Sequence, residues 1–126
     1  AIALKAQLAR GEMPAAQPLD PLPPGDACYF VCPVRFGRRR SDQFGHLVLT
    51  SGRLHFRGAL DLGVAWSEVS QVRRDGRDIV VSLQDSRRVL RFSCESLREA
   101  VRGGVLADHL ASADTPSPRT HFHASM

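Results

Sequence analysis

At 126 residues the chain suits one domain, and 43% apolar residues are enough to give it a real core. A net charge of +4, carried by 16 Arg and a single Lys against 13 acidic residues, tilts the chain toward anionic partners without making it a polycation. The composition excludes three classes: no apolar run reaches the roughly 18 residues of a membrane-spanning helix, the N-terminal stretch lacks the apolar core of a secretory signal, and three irregularly spaced cysteines do not form a disulfide framework. There is no Asn and only two Ile, a bias that also marks a GC-rich coding genome, so the arginine excess has a bland source beside a functional one.

Ile2, Leu4, Ala6 and Leu8 predict a short helix over 1–10, with Gly11 placed to end it. Pro14, Pro18, Pro21, Pro23 and Pro24 then resist both helix and ladder. Residues 1–25 therefore read as a helix on a semi-rigid linker, an appendage that either docks on the following domain or belongs to a preceding one. The first strand covers Cys28 to Val34, with Cys28, Phe30 and Cys32 on one face and Tyr29 and Val31 on the other. Pro33 marks an edge or the end of that strand. Cys28 and Cys32 lie about 13 Å apart along an extended chain, too far to bond, which leaves buried free thiols in a reducing compartment.

After a polar loop from Arg35 to Gln43, Phe44 to Thr50 is the second strand. Ser51-Gly52 is a turn, and Arg53 to Arg57 returns with Leu54 and Phe56 inward. Val64 to Trp66 is a short fourth strand, and Glu68 to Arg73 a fifth that holds Val69 and Val72. Asp75-Gly76 predicts a hairpin into Asp78 to Gln84, with Ile79, Val81 and Leu83 on one face. Asp85-Ser86 turns the chain into Arg87 to Ser93, with Leu90 and Phe92 inward and Val89 and Arg91 outward.

The period then changes. Leu97, Val101 and Val105 recur every fourth residue, flanked by Ala100, Leu106 and Leu110, as in an amphipathic helix. Ser96-Leu-Arg-Glu99 has the form of a capping box, with Ser93 as an alternative cap. Gly103-Gly104 weakens such a helix by about 1 kcal/mol per glycine relative to alanine, unless close contact with the sheet demands it. From Ser112 the chain reads as a disordered tail. The expected architecture is mainly β with a C-terminal α-helix: a seven-stranded bent antiparallel sheet capped by one helix, plus a short N-terminal helix. Its segments are 1–25, the domain 28–111 and the tail 112–126.

Seven short strands followed by one helix resemble the pleckstrin-homology-like (PH-like) superfold, especially its GRAM-like and small bacterial members. Gly45-His-Leu-Val-Leu-Thr50-Ser-Gly-Arg-Leu-His-Phe56 is similar to the G-x-L-x-L-T-x-x-R-L-x-F hairpin of such domains. Val64-Ala-Trp66-Ser-Glu-Val69 is similar to the apolar-x-W-x-x-I/V segment that follows it, and Leu90-Arg-Phe92 precedes the terminal helix. The resemblance covers residues 28–111. It implies that basic residues in the first interstrand loop, here Arg35, Arg38, Arg39 and Arg40, can clamp an anionic headgroup. It further implies that Arg57 and Arg87 or Arg88 approach the same rim. The planar guanidinium fork suits phosphate oxygens. A solvated loop in an arginine-rich chain is the bland alternative.

Other candidates rank lower. Arg73, Arg74 and Arg77 are expected at the opposite end, as a solvated hairpin partly neutralised by Asp75 and Asp78. Trp66 is expected in the core beneath the terminal helix. Phe30, Phe44 and Phe56 read as core-directed, leaving Tyr29 as the one exposed ring, which counts against a base-stacking surface. His46 and His55 show no metal spacing, and the tail pair His121 and His123 could chelate a metal but reads first as part of an unstructured end. Nucleophile and phosphate-loop motifs are absent, so neither an enzyme nor a cofactor is expected. The expectation is a non-enzymatic, cytoplasmic binding module within a larger protein. Another protein is the first choice of partner, and peripheral contact with an anionic membrane through Arg38–Arg40 is the second. Nucleic acid ranks third.

Overall fold

A computed structural model describes residues 2–37, 43–84 and 87–114. Arg38, Arg39, Arg40, the Asp85-Ser86 turn and residues 115–126 lie outside the described residues. Helix α1 (Ile2–Ala9) is followed by β1 (Cys28–Phe36), β2 (Gln43–Thr50), β3 (Arg53–Gly58) and β4 (Leu62–Ala65). Then come β5 (Val69–Asp75), β6 (Asp78–Leu83), β7 (Val89–Cys94) and α2 (Leu97–Asp114). The strands form one antiparallel sheet in the order β4-β3-β2-β1-β7-β6-β5.

The sheet forks at β1. This strand pairs with β2 from Cys28 to Phe36 but meets β7 only at Val34, Arg35 and Phe36. Pro33 therefore does not end the strand. Its missing N–H falls immediately before the β7 pairing begins, where no ladder bond is lost. Helix α2 fills the fork. A Cβ on Gly103 would stand 2.8 Å from the Ile79 Cδ1 of β6 and 2.9 Å from the Phe30 ring of β1, one contact from each limb. Phe36, Phe56 and Phe92 close the interior at the other end of β1, with ring centroids 5.1 Å apart for Phe36–Phe56 and Phe36–Phe92.

The hairpin residues explain themselves. A Cβ on Gly45 would strike the Arg57 carbonyl and the Phe56 ring, so only glycine lets β2 and β3 close over that ring. The Thr50 hydroxyl accepts from the Gly52 and Arg53 N–H groups and ties the turn. Trp66 is 1% exposed, as expected of a core residue, and its indole N–H donates to the Thr50 carbonyl at 2.8 Å. It leaves β4, however, and begins a single 3-10 turn, Trp66–Glu68. The Glu68 carboxylate accepts from the Ala65 N–H within that turn. A bulge between Val69 and Gln71 reconciles Val69 and Val72, which simple alternation would set on opposite faces.

Several boundaries differ from expectation. Ser96 caps α2 as expected, its hydroxyl accepting from the Glu99 N–H and donating to the Glu99 carboxylate. The helix runs on through Ser112–Asp114, which the sequence assigned to the tail. Buried Leu110 and Ala111 keep its inner face packed, and alanine favours the helix. Val80 is fully buried although it alternates outward. It lies between Arg73 and Arg91 in the ladder, where long arginine stems are suited to shield an aliphatic side chain.

The N-terminal segment is no loose appendage. Leu4 and Leu8 of α1 are buried in the core cluster, and α1 packs on α2. Pro14 is buried, and the Ala16 N–H donates to the Cys28 carbonyl. Pro18 to Pro23 lie over the outer face of β2 and β3 beside Val48, His55 and Arg57, which is why outward-facing Val48 is only 5% exposed.

Candidate functional site

Strand parity decides what faces outward. Gly45, Leu47 and Leu49 share the inner face of β2, so Phe44 must point out, and it does at 76% exposure. This corrects the expectation of a core-directed ring. The signal was available in the alternation leading to the buried leucines. Phe30 and Phe56 are buried as expected, whereas Tyr29 is half-buried against the core rather than an exposed ring.

Register then builds a row across four strands. Phe44 pairs with Arg35, Arg35 with Ser93, and Ser93 with Asp78. Over this row lies an open cleft of about 300 Å³, lined by Pro33, Val34, Arg35, Phe44, Gly45, Arg77, Asp78, Ser93, Cys94 and Glu95. Arg77 and Arg35 thus line one cleft, although the Asp75-Gly76 turn was expected at the opposite end. The pairing of Arg35 with Ser93 and of Ser93 with Asp78 sets the start of β6, and Arg77 before it, level with Arg35 across β7. The Cys94 N–H donates to the Arg77 carbonyl, and the Arg77 guanidinium donates to the Glu95 carbonyl. Among the described residues, Asp75 and Asp78 form no ion pair with Arg73, Arg74 or Arg77. Both bind Arg91, with Asp78 at 2.6 Å and Asp75 at 3.3 Å. Burial alone would raise the Asp78 pKa. The Ser93 hydroxyl and Arg91 outweigh that burial, with Arg35 adding to them, and hold the carboxyl below the usual carboxylate range.

Arg57, Arg87 and Arg88 do not line this cleft. Arg57 bonds Asp20 of the linker at 2.9 Å and Asp61 at 3.4 Å, beside the Pro18–Pro23 segment. Arg88 lines a cleft of about 470 Å³ between β4 and the β6–β7 region, with Leu62, Val64, Leu83 and Leu90 among its walls. Arg87 is exposed. Arg38, Arg39 and Arg40 lie outside the described residues.

All three cysteines are buried free thiols. Cys32 and Cys94, diagonal neighbours across the β1–β7 pairing, hydrogen-bond one another, and donation to Cys94 together with burial pushes the Cys32 thiol well up. Sequence spacing held no signal for that pair, since it depends on the register at the fork.

Chain order, the fork at β1 and the helix that fills it can now be set against known proteins. No family model and no curated protein matches the sequence. Solved structures do match. The Vps36 N-terminal PH domain aligns with a TM-score of 0.64 at 15% identity, over 80% of this chain and 90% of that one. The fold is PH-like. The linker-DH/PH structure of p115-RhoGEF aligns with a TM-score of 0.63 at 12% identity, over 80% of this PH-like chain and 36% of that one. The Slm1 PH domain, solved with phosphoserine, aligns at 0.53 and 17% identity, over 66% of this chain and 94% of that one. At such identities the likeness is one of fold. Among the described residues of this PH-like chain, no helix is long and apolar enough to cross a membrane.

Proposed function

We propose that the chain is a non-enzymatic protein-binding module of PH-like fold, working in a reducing, cytoplasmic setting. Its binding surface is the cleft beside Phe44. The observation that carries this reading is Phe44 itself, a large ring 76% exposed on the outer face of a central strand, at the lip of a cleft. Aromatic rings and arginines in shallow pockets are the usual anchors of protein interfaces. The rim carries both signs, with Arg35 and Arg77 facing Asp78 and Glu95. A polyanionic headgroup favours a rim of one sign, whereas a polypeptide presents an apolar side chain flanked by polar groups of either sign. The expected ligand is a segment that sets an apolar residue against Phe44 and an acidic residue toward Arg77. The phosphoserine held by the Slm1 PH domain is a related single-residue anion.

The test is Phe44→Asp. Phe44 packs little, so the variant should melt within about 0.5 kcal/mol of wild type. Partners cross-linked to wild type and identified by mass spectrometry should be lost from the variant. Retention of every one of them would remove Phe44 from the binding surface.

A further inference from the structure

A second surface lies where the two helices meet. Beside buried Leu4, residues Ala3 of α1 and Leu97 and Val101 of α2 line an open groove of about 460 Å³, walled by Arg98 and Arg102. That volume is in the range of built binding sites. Leu97 is 52% exposed, unusual for a leucine on the first turn of a helix whose opposite face is packed. Leu97 and Val101 are one turn apart, and so are Arg98 and Arg102, so this flank of α2 carries an apolar row beside a basic row. Neither guanidinium has a hydrogen-bond or ion-pair partner among the described residues. Lys5, exposed on α1, adds a third cation to the pair of helices. The acidic residue of the first turn of α2, Glu99, is held by Ser96 instead.

Charge selects among the occupants of this groove. A second copy docked symmetrically would bring Arg98 and Arg102 against their own equivalents, which like-charge repulsion opposes. The chain's own residues 115–126 carry Arg119 and no acidic side chain, so they do not complement it either. An amphipathic helix with an apolar face and an acidic flank matches both rows at once. We propose that the α1–α2 groove docks an acidic amphipathic helix of a partner protein. Apolar side chains of the partner lie between Leu4, Leu97 and Val101, and its carboxylates meet Arg98 and Arg102. This surface shares no lining residue with the Phe44 cleft.

The experiment uses the full chain and a fluorescent helical peptide with Leu at i, i+3, i+4 and i+7 and Glu on both flanks. A matched peptide carries Lys in place of Glu. Anisotropy should show binding of the acidic peptide only, weakened roughly tenfold or more by Arg98→Glu/Arg102→Glu. That variant should gain affinity for the Lys peptide. Arg53→Glu/Arg73→Glu, the same charge change at exposed positions on β3 and β5, should leave binding in place. Amide shifts should move at residues 3–4 and 97–102. Unchanged melting curves would establish that the substitutions leave the fold intact. The proposal is overturned if the acidic peptide does not bind or the Lys peptide binds wild type equally. It is equally overturned if Arg98→Glu/Arg102→Glu binds as wild type does. Sedimentation showing self-association that this variant abolishes would assign the groove to a second copy instead, and anionic vesicles binding there in place of the peptide would assign it to a membrane.

Discussion

Two adjacent glycines in α2 do opposite work. Gly103 faces the fork, where an added methyl meets Ile79 Cδ1 at 2.8 Å and the Phe30 ring at 2.9 Å. Gly104 has nothing within 4 Å of the same position. Gly104→Ala should therefore recover the helix propensity lost to glycine, about 1 kcal/mol of stability. Gly103→Ala should cost about 1–3 kcal/mol, since a rigid aromatic ring cannot yield as a flexible side chain can. Urea midpoints of the two variants check this, and two shifts of the same sign would show that α2 does not seat on Gly103. The need for a close approach was legible from the Gly-Gly pair. Which glycine served it was not, because helical phase near a sheet is set by tertiary packing. Phe44 shows the reverse case. Its outward direction follows from the parity of Gly45, Leu47 and Leu49, and treating every phenylalanine as core hid it.

At the scale of elements, the strands were legible because alternation and turn residues are local signals. The docking of residues 2–26 was not. Prolines report that a segment is neither helix nor ladder, but not what it lies against. Here Leu4 and Leu8 bury against the core and Asp20 reaches Arg57. The linker covers His55, which is half-buried among Arg53 and Arg57. Burial and then those two cations lower the His55 pKa below its ordinary 6.5, only partly offset by Asp26 and Asp61. Between that lowered value and 6.5 the unfolded chain binds more protons than the folded one. This contribution to stability is therefore complete above about pH 6.5 and is lost as pH falls through the window. Urea midpoints measured from pH 7.5 down to pH 5 should fall more steeply for wild type than for His55→Gln. Parallel profiles would mean that His55 titrates as it does in the unfolded chain.

For the whole molecule, the question is whether its positive charge is a binding surface or a background. The β1–β7 register, which no local pattern announces, brings Arg77 level with Arg35 and gives the cleft its mixed rim. Three other arginines meet carboxylates within the chain, Arg10 with Glu12, Arg57 with Asp20 and Asp61, and Arg91 with Asp75 and Asp78, while Arg98 and Arg102 belong to the helix groove. A charge already paired adds little to membrane attraction, which is worth about 1 kcal/mol per basic residue near an anionic surface and is screened by salt. The protein-binding reading predicts that at about 0.15 M salt, where scattered surface charge is screened, the full chain pellets no more with anionic than with neutral vesicles, and that Arg57→Ala, whose charge is already paired, changes nothing. Salt-sensitive pelleting with anionic vesicles that Arg38→Ala/Arg39→Ala/Arg40→Ala abolishes would contradict it. The first loop would then be the binding site.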